Sequence, residues 1–172
     1  MVEENLPHRR SIRLHGYDYS QGGLYFVTIC VKDKECLFGT VVDGDMVLNE
    51  FGNIVKKCWL AIPEHYAYVV LHGYIIMPNH IHGIIEIGEF VGANYHSPEN
   101  EALFRSPSGT IGSIIRGLKI GVMKWYKEYL QVKSIWQRSY YEHIIRNDES
   151  YQKITEYIYE NPGNWLTDDY YK

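Results

Sequence analysis

Apolar residues along the chain follow two periods, and each change of period marks an element. Residues 24–31 (LYFVTICV) form an unbroken β-branched and aromatic run after Gly22 and Gly23, the pattern of a buried strand. Two shorter runs, 38–42 and 45–48, flank Asp43 and Gly44 and predict a small peripheral hairpin, because glycine accepts the positive φ of a tight turn. Over residues 49–61 the period lengthens. Phe51, Ile54, Val55, Cys58 and Trp59 recur at steps of three and four, which predicts a helix with Asn49 as its N-cap and Pro63 beyond its end. Residues 68–77 and 80–87 are strand-like again, and Pro78-Asn79 between them predicts antiparallel neighbours.

Residues 88–108 carry glycine, serine and proline without a period and read as a long loop. Helical spacing returns with Ile111, Ile114, Ile115, Leu118, Val122, Trp125 and Tyr129, while Arg116, Lys119, Lys124 and Lys127 lie off that stripe. Gly112, Gly117 and Gly121 within this helix each cost about 1 kcal/mol relative to alanine, so close approach by another backbone or by a ligand is expected there. A last strand is predicted around residues 140–145. A last helix follows over 148–161, with Ile154 and Ile158 inward and Pro162-Gly163 ending it. The order β-α-β-β-α-β-α predicts an α+β fold, a ferredoxin-like split βαβ with an antiparallel sheet and helices packed mainly on one face. Residues 1–172 are expected to form a single domain, with a basic N-terminal arm over 1–22.

Composition narrows the class. With 45% hydrophobic residues, 22% charged residues and 16 tyrosines, the chain is too apolar to be a solvated, disordered segment. Its first residues lack the charged-then-apolar pattern of a signal peptide, and no apolar run approaches the ~18 residues of a membrane span. Three cysteines without CxxC spacing indicate neither a disulfide framework nor a zinc ribbon, so a cytoplasmic protein with no membrane partner is expected. A net charge of −4 argues against nucleic acid at first sight, but the mean hides a segregation. Residues 1–102 carry −6, residues 103–146 carry +6 and residues 147–172 carry −4.

Two constellations could carry chemistry. His80 and His82 are two apart on a predicted strand, so both imidazoles point to one face and could share a metal ion. On the last helix, Tyr157 and Asn161 are four apart and therefore stacked on one face, beside the inward Ile154 and Ile158. Two imidazole nitrogens and an amide oxygen leave open positions on an octahedral Mg²⁺ or Mn²⁺, where phosphate oxygens could bind. Taken alone, each residue has a blander reading: paired surface histidines, a core tyrosine, a helix C-cap before Pro162.

Taken together and in order, these motifs are far more specific. The arm segments RSIRL (10–14) and GYDYS (16–20), then YFVTIC (25–30), MPNHIH (77–82), WQRSYYEH (136–143) and EYIYENP (156–162), resemble the HUH-type single-tyrosine transposases, and within them the group associated with repetitive extragenic palindromes. The resemblance covers most of the chain. It implies a ferredoxin-like fold, a divalent metal held by His80 and His82, and Tyr157 as the nucleophile. Asn161 stands where family members often have the longer Gln, and either Asn161 or Glu86 completes the expected metal set. The implied activity is cleavage and rejoining of single-stranded or hairpin DNA through a 5′-phosphotyrosine intermediate, by a monomer or homodimer. Arg9, Arg10, Arg13, Arg116, Lys119, Lys124 and Lys127 are then the expected phosphate contacts.

Two other readings differ in kind. A DNA-hairpin-binding protein without catalysis would leave Tyr157 in the core. A cupin-type metal enzyme would use His80, His82 and Glu86, which share a strand face, but Tyr74 stands where that motif expects glycine, and cupins are nearly all β.

Overall fold

The computed structural model describes residues 22–88, 110–129 and 134–171. The arm with Arg9, Arg10 and Arg13, and nearly all of the 88–108 stretch, lie outside the described residues. Six strands and four helices make up the described part: β1 (Gly23–Cys30), β2 (Gly39–Val42), β3 (Asp45–Leu48), α1 (Glu50–Leu60), α2 (Ile62–His65), β4 (Val69–Ile76), β5 (His80–Ile87), α3 (Ile111–Tyr129), β6 (Tyr141–Ile145) and α4 (Asp148–Glu160). Four strands form one sheet in the order β4-β5-β1-β6, with every neighbouring pair antiparallel. Strand β5 is thus inserted between β1 and β4, which is the split βαβ expected from the sequence.

Local chemistry accounts for the boundaries. Asn49 caps α1 by accepting from the Gly52 amide at 2.9 Å, and Asn147 caps α4 by accepting from Ser150 at 2.8 Å. Both Asp43 and Gly44 take positive φ between β2 and β3, as a two-residue hairpin turn requires. Pro63 lies past the last turn of α1, as expected. It opens the short helix α2, where its missing N–H would have no helical partner anyway.

The two faces of the sheet are unequal. Tyr25, Val27 and Ile29 of β1 join Trp59 of α1 and Ile111, Ile114, Leu118, Val122 and Tyr126 of α3 in the main core. Each of these fully buried side chains contributes about 1.5–3 kcal/mol, so most of the hydrophobic stabilisation lies on that side. Helix α4 covers the opposite face, held by a smaller cluster of Phe26, Ile84, Ile145 and Ile158. Helices therefore pack mainly on one face, with α4 alone on the other. The thinner face is the one that carries buried polar groups.

Tyr126 rather than Trp125 continues the buried stripe of α3: Tyr126 is fully buried, while Trp125 is 52% exposed. Steps of three and of four from Val122 fit a helix equally well, and packing decides between them. Phe51 of α1 stacks on Tyr126 with ring centroids 4.7 Å apart. Of the helical glycines, Gly117 admits the Tyr66 ring, so the close approach there is by a side chain.

Gly83 of β5 fixes the spacing of α1 over the sheet, because a Cβ there would fall inside the Trp59 ring. Gly83→Ala is expected to push Trp59 off its stack with Tyr74, at about 1–3 kcal/mol. Thermal unfolding should show this as a fall of roughly 2–4 °C for each kcal/mol.

Candidate active site

Strand alternation sends Phe26, Thr28, His80, His82 and Ile84 to the face under α4. Both imidazoles are buried, His80 at 0% and His82 at 1% exposure. Burial lowers His80 to a pKa of about 3, and burial together with the neighbouring His80 lowers His82 to about 3. Both rings are therefore neutral at physiological pH, the form that offers a nitrogen lone pair.

The tautomer of His80 follows from Asn79. The Asn79 amide Nδ2 donates to the carbonyls of Lys34 (3.1 Å) and Tyr170 (2.8 Å), which can only accept. Its Oδ1 therefore faces His80 Nδ1 at 2.8 Å, and that nitrogen must carry the proton. The lone pair sits on Nε2, which is buried and has no hydrogen-bond partner. His82 is fixed at both ends, with Nδ1 2.9 Å from the Thr28 hydroxyl and Nε2 3.1 Å from the Tyr157 hydroxyl.

Helix α4 delivers Tyr157 and Asn161 together. The Tyr157 ring meets Phe26 edge-on at 6.2 Å and His82 at 5.1 Å, while the residue as a whole is 43% exposed. Burial, reinforced by the carboxylates of Asp168 and Asp169, pushes Tyr157 up to about 12. Asn161 is buried, donates through Nδ2 to Asp168 Oδ2 at 2.8 Å, and keeps Oδ1 buried without a partner.

After α4 the chain folds back over the histidines. Lys34 Nζ donates to the Asp169 carbonyl at 2.6 Å, and the Tyr170 ring lies 4.6 Å from His80. Asp168 is pinned by Asn161 and by the Tyr170 amide, at 2.6 Å. This brings one ligand atom each of His80, His82 and Asp168 within 4.8 Å of one another, a group able to hold a metal ion. A cation fits the residues present: the orphaned His80 Nε2 and Asn161 Oδ1 would each cost about 1–3 kcal/mol if left unsatisfied, and both would be satisfied as ligands beside a carboxylate.

The expected site residues His80, His82, Tyr157 and Asn161 are thus neighbours. Asp168 and Tyr170 were not anticipated, since the tail after Pro162 has no periodicity to place it. Glu86 does share the histidines' face, but its carboxylate is engaged by His72 at 2.8 Å and so stands apart from the pair. The α+β architecture also excludes the cupin reading. Arg116, Lys119, Lys124 and Lys127 line a groove between α3 and residues 134–140 on the main-core side of the sheet. Lys119 is half-buried there and donates to the carbonyls of Gln137 (2.8 Å) and Ser139 (3.1 Å).

Buried neutral histidines make the metal-free protein acid-sensitive. Their folded pKa of about 3 lies below the ordinary 6.5, so the unfolded chain binds protons more readily below pH 6.5. Stability is fully present above that pH and is lost as pH falls toward 3. The expected loss is on the order of 2 kcal/mol per imidazole by pH 5, read as a drop in the denaturant midpoint of chelator-treated protein.

An antiparallel ferredoxin-like sheet, with a histidine pair facing a helical tyrosine, is the arrangement that the resemblance to tyrosine transposases implies. No protein-family model matches the chain. A Haemophilus influenzae protein of uncharacterised function is 48% identical over 170 residues, spanning 96% of this chain and 94% of that protein. A putative REP-associated tyrosine transposase from the same species is 28% identical over 84% of this chain and 73% of its own length. The REP-associated tyrosine transposase of Escherichia coli is 22% identical over 84% of this chain and 68% of its own length. Among solved structures, a REP-associated tyrosine transposase bound to a REP hairpin shares the fold, with a TM-score of 0.62 at 20% identity over 88% of this chain and 73% of that one. By sequence the chain resembles the REP-associated tyrosine transposases, and its fold is theirs. Among the described residues, no helix is long and apolar enough to cross a membrane.

Proposed function

We propose that the protein is an endonuclease and strand transferase that cleaves and rejoins single-stranded DNA at hairpin elements, with Tyr157 as nucleophile. The observation that carries this reading is the Tyr157 hydroxyl 3.1 Å from His82 Nε2, beside the buried and unpartnered His80 Nε2. The likeness to REP-associated tyrosine transposases supports it, as does the hairpin bound by the structural neighbour.

In this mechanism the Tyr157 oxygen attacks the phosphorus of a phosphodiester in line with the leaving 3′-oxygen. The bond from phosphorus to the phenolic oxygen forms, the bond to the 3′-oxygen breaks, and the phenolic proton leaves. The products are a 5′-phosphotyrosine and a free 3′-hydroxyl. Because one ester replaces another, attack by a second 3′-hydroxyl reverses the step without ATP. Tyr157 is held protonated at neutral pH, so the site must supply positive charge near its oxygen. A Mg²⁺ or Mn²⁺ ion held by His80, His82, Asn161 and Asp168 would supply that charge as a Lewis acid. Phe26 fixes the ring plane of the nucleophile, and Thr28 and Asn79 fix the imidazoles.

Arg116, Lys124 and Lys127, with Lys119 and the arm residues Arg9, Arg10 and Arg13, provide the phosphate contacts in this reading. Replacing the three arm arginines by alanine is expected to weaken hairpin affinity. It should also flatten the plot of log affinity against log salt by about 2–3 units, one for each lost phosphate contact. Fluorescence anisotropy at several salt concentrations measures both.

Incubation with end-labelled hairpin DNA and Mn²⁺, followed by a denaturing gel, tests the function. A protein-sized adduct that disappears on chelation is expected. Hairpin binding without any adduct would point to a non-catalytic hairpin binder.

A further inference from the structure

The groove between α3 and residues 134–140 has a volume of about 810 Å³, inside the range of roughly 300–1,000 Å³ typical of ligand sites. Its two halves differ in chemistry. Ile115, Met123, Trp136 and Tyr140 form an apolar floor, while Arg116, Lys119, Lys124, Lys127 and Arg138 line it with positive charge, and no carboxylate is among the described lining residues. In a chain of net charge −4, five cations without an acid in one groove select an anionic occupant. At its edge Ile120 is 54% exposed, an apolar side chain among cations.

An anion that also has flat apolar faces matches both halves. We propose that this groove holds an unpaired stretch of the DNA, with bases against the Met123, Trp136 and Tyr140 floor and phosphates along the basic rim. This rests on the DNA-cleaving reading above and names which part of the DNA meets these cations. A duplex offers only its phosphates here, because its bases are stacked and paired. The floor is useful only to a strand whose bases are free.

The groove is separate from the phosphate-transfer site yet mechanically tied to it. Ile115 and Trp136 belong to the main core, whereas His82 and Tyr157 pack on Phe26 across the sheet. The connection runs through the groove wall: Lys119 Nζ donates to the Gln137 carbonyl, and the Gln137 amide donates to the Cys30 carbonyl at 2.9 Å. Cys30 is the β1 residue paired with His80. Groove and catalytic pair thus lie at the same end of β1, on opposite faces of the sheet.

The test uses full-length Tyr157→Phe protein, so that no covalent chemistry intervenes, and a short single strand containing 5-iodouracil. Irradiation and peptide mapping should place crosslinks on Met123, Trp136 or Tyr140. Ile120→Ala combined with Met123→Ala should weaken single-strand binding about tenfold and leave a duplex of the same sequence nearly unaffected. Ile120→Glu, at an exposed position that tolerates a charge, should act in the same direction. Crosslinks confined to other surfaces, an equal loss for duplex, or unchanged single-strand affinity would overturn the proposal. So would polyglutamate competing as strongly as the DNA strand, which would assign the groove to an acidic protein partner. Groove crosslinks without any adduct from the wild-type protein would sink the cleavage reading and leave this one standing. Full adduct yield with no groove crosslink would do the reverse.

Discussion

Tyr157→Phe is expected to form no covalent DNA adduct, a loss on the order of 10⁴-fold or more, because no second nucleophile occupies the same position. The substitution deletes one oxygen and little else. The phenyl ring keeps its edge contact with Phe26, and the hydroxyl contact to His82 is the interaction removed. A single hydrogen bond at a half-exposed site is worth about 1 kcal/mol, so the thermal midpoint should move by roughly 2–4 °C at most. Unfolding therefore cannot account for the loss. Tyr159, two residues on, is 68% exposed and lies over Gly73 of β4, away from the histidine pair. An adduct surviving in Tyr157→Phe would move the nucleophile to another tyrosine, with Tyr170 against His80 as the first to examine.

The histidine pair carries the second large effect. His80→Ala and His82→Ala should each lower Mn²⁺ affinity by about 100-fold or more in calorimetry and reduce adduct formation to background. Two neutral imidazoles at 0% and 1% exposure, one with an orphaned nitrogen, are a net cost to folding unless something is bound there. The metal-free double variant should accordingly be less sensitive to acid than the wild type, since the groups that take up protons on unfolding are gone. Weakened metal binding with reduced acid sensitivity identifies a ligand pair. Unchanged Mn²⁺ affinity would contradict the assignment.

Much of this was legible in the sequence because period and chemistry coincide there. The 24–31 run reads as a buried strand, and Asn49 marks a helix start that the structure keeps. Strand alternation put His80 and His82 on one face, and the four-residue step from Tyr157 to Asn161 put both over that face. What the pattern could not give was set by packing. A helix stripe does not say which side of a sheet it will cover, so only the two separate clusters distinguish α4 from α1 and α3. The choice of Tyr126 over Trp125 belongs to Phe51, a residue far along the chain. Asp168 and Tyr170 reach the site through an irregular tail fastened by Asn79 and Lys34, and an aperiodic segment leaves no trace of its partners in sequence. Their one hint was the run Asp168-Asp169-Tyr170-Tyr171, which reads equally well as a solvated end.

The most direct test of the central claim is mass spectrometry of the trapped protein–DNA adduct after nuclease and trypsin digestion. Cleavage after Lys153 releases one peptide, residues 154–172, containing Tyr157, Tyr159, Tyr170 and Tyr171. Fragmentation should place a nucleotide, linked through its 5′-phosphate, on Tyr157 alone. A nucleotide on any other residue of that peptide, or a 3′-phosphate linkage, would contradict the account.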